Sequence, residues 1–275
     1  MSKIISIGTA VPVYKHKQHD ILDFMQRVYA QDDDERRKMK FLYRQSGIDT
    51  RYSVIPDYTL PAHSWRFYSP SENQEPVPSL EKRMQWFEKH ASALSMQAIR
   101  NCLSDFPVKE ITHFITVSCT GMTAPGLDLE LAELLSLPGT VHRTSVNFMG
   151  CYAAIHAMKM ADAFCKSSRK ANVLIVCTEL CTLHFQNEAT QNNIASSMLF
   201  GDGSAAMLIS NEEKTKGLTI DSFYSAVDIR GKKDMAWELS STGFLMTLSG
   251  FVPALIEKDF NPLVSEALRS AGLKK

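Results

Sequence analysis

Cys151 is the residue best placed to do chemistry. It lies in Ser145-Val146-Asn147-Phe148-Met149-Gly150-Cys151-Tyr152-Ala153-Ala154, where a run of strand character meets a glycine, then the cysteine, then a small-residue helix expected to reach about residue 168. The first N–H groups of a helix have no partner within it and mark the positive end of its dipole. Such positions favour thiolate, the nucleophilic form of cysteine. The chemistry to expect is an acyl group held on sulfur. Taken alone, a cysteine here could equally be a buried helix-start residue.

Other reactive side chains read less sharply. His156 is five residues beyond Cys151, so at about 100° per residue it points some 140° away on the same helix. His184 precedes Phe185, and strand alternation puts the two on opposite faces. His113 and His142 read as strand-edge residues without a partner signature. Cys177 and Cys181 are four apart but lack a second cysteine pair, so core cysteines fit better than a zinc site. Gly201-Asp202-Gly203 lacks the glycine spacing and lysine of a phosphate loop and reads as a tight turn. Glu179, just past a buried strand, reads as a structural hydrogen-bonding residue in preference to part of a cavity network. The basic run 36–40 fits either a solvated helix face or an anion site.

The elements that must position these residues alternate between strand and helix, which argues for an α/β layered fold. Strands are expected at 3–7, 111–119, 145–148, 172–177 and 204–210, and runs such as Val173-Leu174-Ile175-Val176-Cys177 suit strands covered on both faces. Helices are expected at 19–30, 34–46, 79–103, 127–137, 151–168 and 253–271. Ser79 is the expected N-cap of the third, and Gly47 the stop of the second. Residues 50–78, polar, aromatic and proline-rich, read as a long loop that wraps the surface or covers something.

Bulk composition narrows the field. Lys plus Arg and Asp plus Glu balance at 30 each, so nothing points to nucleic acid or to a strongly charged partner. With no run of about 18 apolar residues, no membrane span is expected. Six cysteines sit mostly within apolar runs, and Met1-Ser2-Lys3 leads directly into strand-like residues without a secretory leader. The reading is a cytoplasmic, reducing-compartment protein. From Gly217 a new strand begins, followed by an irregular stretch and one helix, too little to bury a core of its own. Residues 1–212 therefore read as a complete first half that carries the cysteine, and 213–275 as the opening of an incomplete second.

Four motifs in order carry a family resemblance: Val117-Ser118-Cys119-Thr120-Gly121-Met122-Thr123-Ala124-Pro125-Gly126-Leu127-Asp128, the Cys151 turn, Cys177-Thr178-Glu179-Leu180-Cys181-Thr182-Leu183-His184-Phe185, and Leu199-Phe200-Gly201-Asp202-Gly203-Ser204-Ala205-Ala206. Together they resemble the type III polyketide synthases, the chalcone and stilbene synthase family, in its bacterial form. The resemblance implies a thiolase-like fold, its second half truncated. It implies Cys151 as the nucleophile that takes an acyl group from a CoA thioester and extends it with malonyl-CoA by decarboxylative condensation. It places Phe185 as an aromatic gatekeeper, Cys119 on the cavity wall, and Met246 or nearby Phe244 near a second gatekeeper position. Arg37, Lys38 and Arg44 become candidates for the CoA phosphates, although Phe41 and Gln45 stand where plant members carry charge.

A homodimer is implied, with Ala124 near a loop that reaches the partner. No metal, flavin or nicotinamide is implied; acyl-CoA and malonyl-CoA are the substrates. The family His and Asn that complete the site fall beyond the equivalent of Lys275. An oxyanion donor contributes about 3–4 kcal/mol, so both losses together would slow the reaction by several orders of magnitude. The alternative is a truncated non-catalytic remnant, or one part of a split synthase.

Overall fold

The computed structural model describes residues 1–71, 74–213 and 216–273. In chain order, β1 (Lys3–Ala10) and β2 (Tyr14–Lys17) precede helices α1 (Gln18–Tyr29) and α2 (Asp33–Gln45). Then come β3 (Thr50–Ser53), α3 (Leu80–Leu103), β4 (His113–Ser118), α4 (Leu127–Leu134), β5 (His142–Asn147) and α5 (Ala153–Ser167). They are followed by β6 (Asn172–Leu180), α6 (Gln191–Leu199), β7 (Asp202–Ser210) and β8 (Leu218–Thr219). A hairpin of β9 (Met235–Ser240) and β10 (Gly243–Leu248) leads to α7 (Val252–Ser270).

Six strands form one sheet in the order β5-β4-β6-β7-β1-β8. β5, β4 and β6 run parallel, joined through α4 and α5, because parallel neighbours need a crossover. The β6–β7, β7–β1 and β1–β8 pairs are antiparallel. The continuous apolar runs of β4 and β6 follow from cover on both faces. On one face, α5 presents Ala153, Ala157, Ala161 and Cys165 at helical spacing to Ile115, Val117, Val146 and Ile175. On the other lie α1, α3 and an aromatic cluster. There α3 approaches β1 so closely that a Cβ on Gly8 would fall 2.2 Å from the backbone nitrogen of Cys102.

The expected N-cap and stop are present: the Ser79 hydroxyl accepts from the Lys82 N–H at 3.3 Å, and Gly47 takes φ +66° just past α2. The stretch 50–78, read as a loop that wraps the surface or covers something, in part folds inward. Its first residues form β3 against β2, and the fully buried Asp57 carboxylate accepts from the N–H groups of Arg66, Phe67 and Tyr68, each at 2.9 Å. Those bonds carry Phe67 and Tyr68 into the core. After residue 216 the strand is only two residues long, and β9–β10 and α7 follow.

Candidate active site

Three adjacent parallel strands each deliver a cysteine just past the carboxyl end: Cys151 follows β5, Cys119 follows β4, and Cys181 follows β6. The crevice outside strand carboxyl ends is where open α/β sheets place their ligands. All three thiols line one cavity of about 740 Å³. Cys151 is exposed, Cys119 is buried, and Cys181 is half-buried.

The turn that presents Cys151 reverses sharply. Phe148 has φ +57° and Gly150 φ +64°, and a 3-10 turn over Gly150–Tyr152 hands the chain to α5. A Cβ on Gly150 would meet nothing within 4 Å, so this glycine answers to its left-handed φ rather than to space. Beneath the turn, the Glu179 carboxylate accepts from the Cys119 N–H at 2.8 Å and from the Thr120 hydroxyl at 2.6 Å. The Thr120 oxygen accepts in turn from the Leu180 N–H at 2.9 Å. Glu179 thus ties the end of β4 to β6, and it also lines the cavity, so both roles weighed for it are present. Burial pushes its carboxyl up against the pull of these bonds. Burial and then Glu179 likewise push the Cys119 thiol up.

The opposite wall comes from the β9–β10 hairpin, through Trp237, Phe244 and Met246 among others. Both residues considered for the second gatekeeper position, Met246 and Phe244, are therefore on this cavity. The Phe244 ring meets Phe148 edge-on at 6.1 Å. Phe244 also stacks on His184, with centroids 4.3 Å apart and planes 5° from parallel.

The strand alternation expected across His184 and Phe185 requires a correction. The Phe185 ring stands off the Cys151 cavity and packs against Phe24, Tyr29 and Tyr68 at 6.5, 5.6 and 5.5 Å. A separate cavity of about 30 Å³ shares Cys181, Trp237 and Met246 with the larger one and adds His184 and Phe185. The strand expected here ends at Leu180, and Cys181–His184 form a 3-10 turn. His184 is buried, with Nε2 2.8 Å from the Thr120 carbonyl and Nδ1 accepting from the Phe244 N–H at 3.1 Å. That pair of partners fixes the neutral ring with its proton on Nε2, and burial pushes its pKa down to about 4.

His113 is a second correction: it lies on the interior strand β4, its ring stacked 4.4 Å from Phe164 and 4.9 Å from His142. His156 is half-buried beside Tyr152 and off the cavity, as its helical angle indicated.

Arg37, Lys38 and Arg44 are exposed on α2, and none lines the Cys151 cavity. Arg37 pairs with Asp34 at 3.3 Å and flanks a surface groove with Lys38, Phe41 and Leu42. Sequence reading missed Arg83, which is buried and donates from Nε to the Pro78 carbonyl at 3.0 Å and from the guanidinium to the carbonyls of Leu183 and Phe185. It also missed Trp237 and the cavity position of Cys181. The signal available for Cys181 was its place at a strand end beside the other two cysteines; Arg83 left none, because its partners are backbone carbonyls.

Among the described residues, no helix is long and apolar enough to cross a membrane. The chain is similar over 98% of its length to the C-terminal type III polyketide synthase domain of Steely1, a type I/III hybrid from Dictyostelium, with a TM-score of 0.89 and 28% identity, covering 74% of that chain. It is 28% identical to "Probable polyketide synthase 1" of Dictyostelium discoideum over 99% of its own length, which is 9% of that protein. It is 27% identical to an alpha-pyrone synthesis polyketide synthase-like protein of Mycobacterium tuberculosis, spanning 98% of this chain and 68% of the relative. The family model for the N-terminal domain of chalcone and stilbene synthases matches residues 1–213. With that domain over most of its 275 residues, the chain belongs to the chalcone and stilbene synthase family.

Proposed function

We propose that this chain performs the acyl transfer of a type III polyketide synthase, with Cys151 as its nucleophile. The observation that carries the reading is an exposed cysteine on a turn with two left-handed residues, opening into a cavity of about 740 Å³ walled by Trp237, Phe244 and Met246. The Cys151 sulfur attacks the carbonyl of an acyl-CoA, the C–S bond to CoA breaks, and the acyl group remains as a thioester on the enzyme. Malonyl-CoA then loses CO₂, its carbanion attacks the thioester carbonyl, the C–S bond to Cys151 breaks to return the thiolate, and the acyl chain, longer by one unit, is left on CoA. The apolar wall accommodates the acyl group, and Cys119 and Met246 set the room it has. Arg37, Lys38 and Arg44 would meet CoA phosphates through the exposed face of α2. Residues 1–212 form the unit that carries the sulfur, and 213–275 add the second wall. A homodimer fits the open edge at β5, next to which Met122 and Phe148 are about half exposed.

A second reading, acyl loading without condensation, is favoured by one feature: among the described residues no histidine lines the Cys151 cavity. His184, the one histidine close behind its wall, is locked neutral by two backbone partners. In this reading the remaining donors come from a further segment or partner. One experiment separates the two. Incubation with a fatty acyl-CoA should add one acyl mass, lost in Cys151→Ala; an adduct that persists in the variant overturns the nucleophile. Malonyl-CoA added to the loaded protein should then release CO₂, and loading without release selects the second reading.

A further inference from the structure

Acyl transfer needs one of the three thiols on the cavity wall and leaves two unexplained. The strand topology that brings them together is specific: β4 lies between β5 and β6, so Cys119 sits between Cys151 on one side and Cys181 on the other. Cys151 is the exposed member and so the one a small oxidant meets first.

The two remaining thiols differ in what surrounds them. Cys119 follows Ser118 of β4, which is paired in register with Asn147 of β5 just before the Cys151 turn, and backbone donors of Phe148, Met149 and Gly150 in that turn pull its pKa down. Gly150 is one Cα step from Cys151, about 3.8 Å along the chain. These donors favour negative charge on the Cys119 sulfur and partly offset the effect of burial. Cys181 follows β6, one strand further from β5, and burial with the carboxylates of Glu179, which also acts on Cys119, and Asp202 pushes its thiol well up. A thiol that must attack as thiolate is better served at Cys119.

We propose that Cys119 is a resolving cysteine for Cys151, so that hydroperoxide converts the pair reversibly to a disulfide instead of destroying the exposed thiol. In the first step the deprotonated Cys151 sulfur attacks one peroxide oxygen; the O–O bond breaks, hydroxide leaves, and Cys151 becomes a sulfenic acid. In the second, the Cys119 sulfur attacks the Cys151 sulfur. The S–O bond breaks, the leaving hydroxide takes the Cys119 proton, and one water is released with the disulfide. A dithiol reductant returns both thiols and is itself oxidised to a disulfide. The left-handed Gly150, with open space where a Cβ would be, lets the turn close the gap. While the bond stands, Cys151 accepts no acyl group and is shielded from the irreversible sulfinic state.

The test treats the reduced full chain with hydrogen peroxide, maps its peptides without reduction, and then measures recovery of iodoacetamide labelling at Cys151 after dithiothreitol. The expected product is a cross-link between the peptides of Cys119 and Cys151, with labelling restored by the reductant. In Cys119→Ser, Cys151 should pass to sulfinic acid, and recovery should fall about tenfold. A Cys151–Cys181 cross-link, sulfinic acid on Cys151 without any cross-link in the unaltered protein, or full recovery in Cys119→Ser overturns the proposal. The peptide map of the unaltered protein stands even where the variant folds poorly. Acyl loading of the reduced protein is measured separately, so a chain that forms the cross-link but takes no acyl group would sink the catalytic reading alone.

Discussion

His184 shows how much one buried ring can fix. Because Nδ1 accepts from Phe244 and Nε2 faces the Thr120 carbonyl, protonation would set a second N–H against a donor. Its pKa falls from 6.5 unfolded to about 4 in the fold. Between those values the unfolded chain binds more protons, so this residue's contribution to stability is complete above about pH 6.5 and lost as pH drops toward 4. Asp202 acts in the opposite sense. Burial raises its carboxyl from 3.8 to about 6, so between those values the folded chain binds more protons and gains stability on acidification. The two largely cancel in the unaltered protein. His184→Gln should therefore start less stable at neutral pH and recover relative to the unaltered chain by about 1 kcal/mol per pH unit below 6.5. Urea unfolding at several pH values reads the difference directly, and a gap that does not change with pH would refute the assignment. The turn at Gly150 gives a second prediction at this scale. With φ +64° and open space around it, Gly150→Ala should cost only about 1–2 kcal/mol. Any larger effect on the rate of acyl loading would then come from re-aiming Cys151, and equal losses in melting temperature and loading would count against that view.

At the scale of elements, the hairpin that walls the cavity is held by hydrogen bonds to the first half. The Leu80 N–H donates to the Ser241 carbonyl at 2.8 Å, the Gln186 amide donates to the Thr242 carbonyl at 3.0 Å, and His184 accepts from Phe244. Gly243 lies over Arg83 at φ +120°, where a Cβ would come within 2.8 Å of the arginine Cδ. Gly243→Ala should therefore cost about 2–3 kcal/mol and swing Trp237 away from the cavity, visible as a shift in tryptophan emission. An unchanged spectrum with unchanged stability would mean that the hairpin is held by something else. Such long-range anchors explain what could be read from the sequence and what could not. The strands β1, β4, β6 and β7 announced themselves through apolar runs, and α3 through its Ser79 cap, because those signals are local. The short β2 and β3 pair with each other across α1 and α2, α6 is polar and nine residues long, and the hairpin has no glycine turn signature beyond Gly243. All three owe their form to partners distant in sequence. Cys151, Cys119, Met246 and Phe244 could be placed because motif order carries position. The surroundings of Phe185 were not legible, because a 3-10 turn replaces the expected strand and turns its ring into the aromatic cluster.

At the scale of the whole molecule, burial is unevenly distributed, and stability should follow it. β4 is buried along its whole length, β6 over most of it, and both lie inside the sheet with helices on each face. Helix α7 is the opposite case. None of its residues is buried, Ile256 and Phe260 stand 59% and 57% exposed beside a groove of about 620 Å³, and Pro262 interrupts its interior. A helix of this length without a packed face is marginal in water, and the Arg230–Asp259 ion pair beside it is solvent-exposed and weak. The hairpin lies between these extremes, held by the three hydrogen bonds named above and the buried ring of Phe244. Native-state hydrogen exchange should therefore resolve three levels. Amides of α7 should exchange fastest, those of β9 and β10 at an intermediate rate, and those of β4, β6 and β7 only on global unfolding, roughly a thousandfold or more slower than α7. Gly243→Ala should lower the middle level alone, since it touches neither α7 nor the central strands. Protection in α7 equal to that of β6 would refute the ranking, because among the described residues no burial of α7 supplies it.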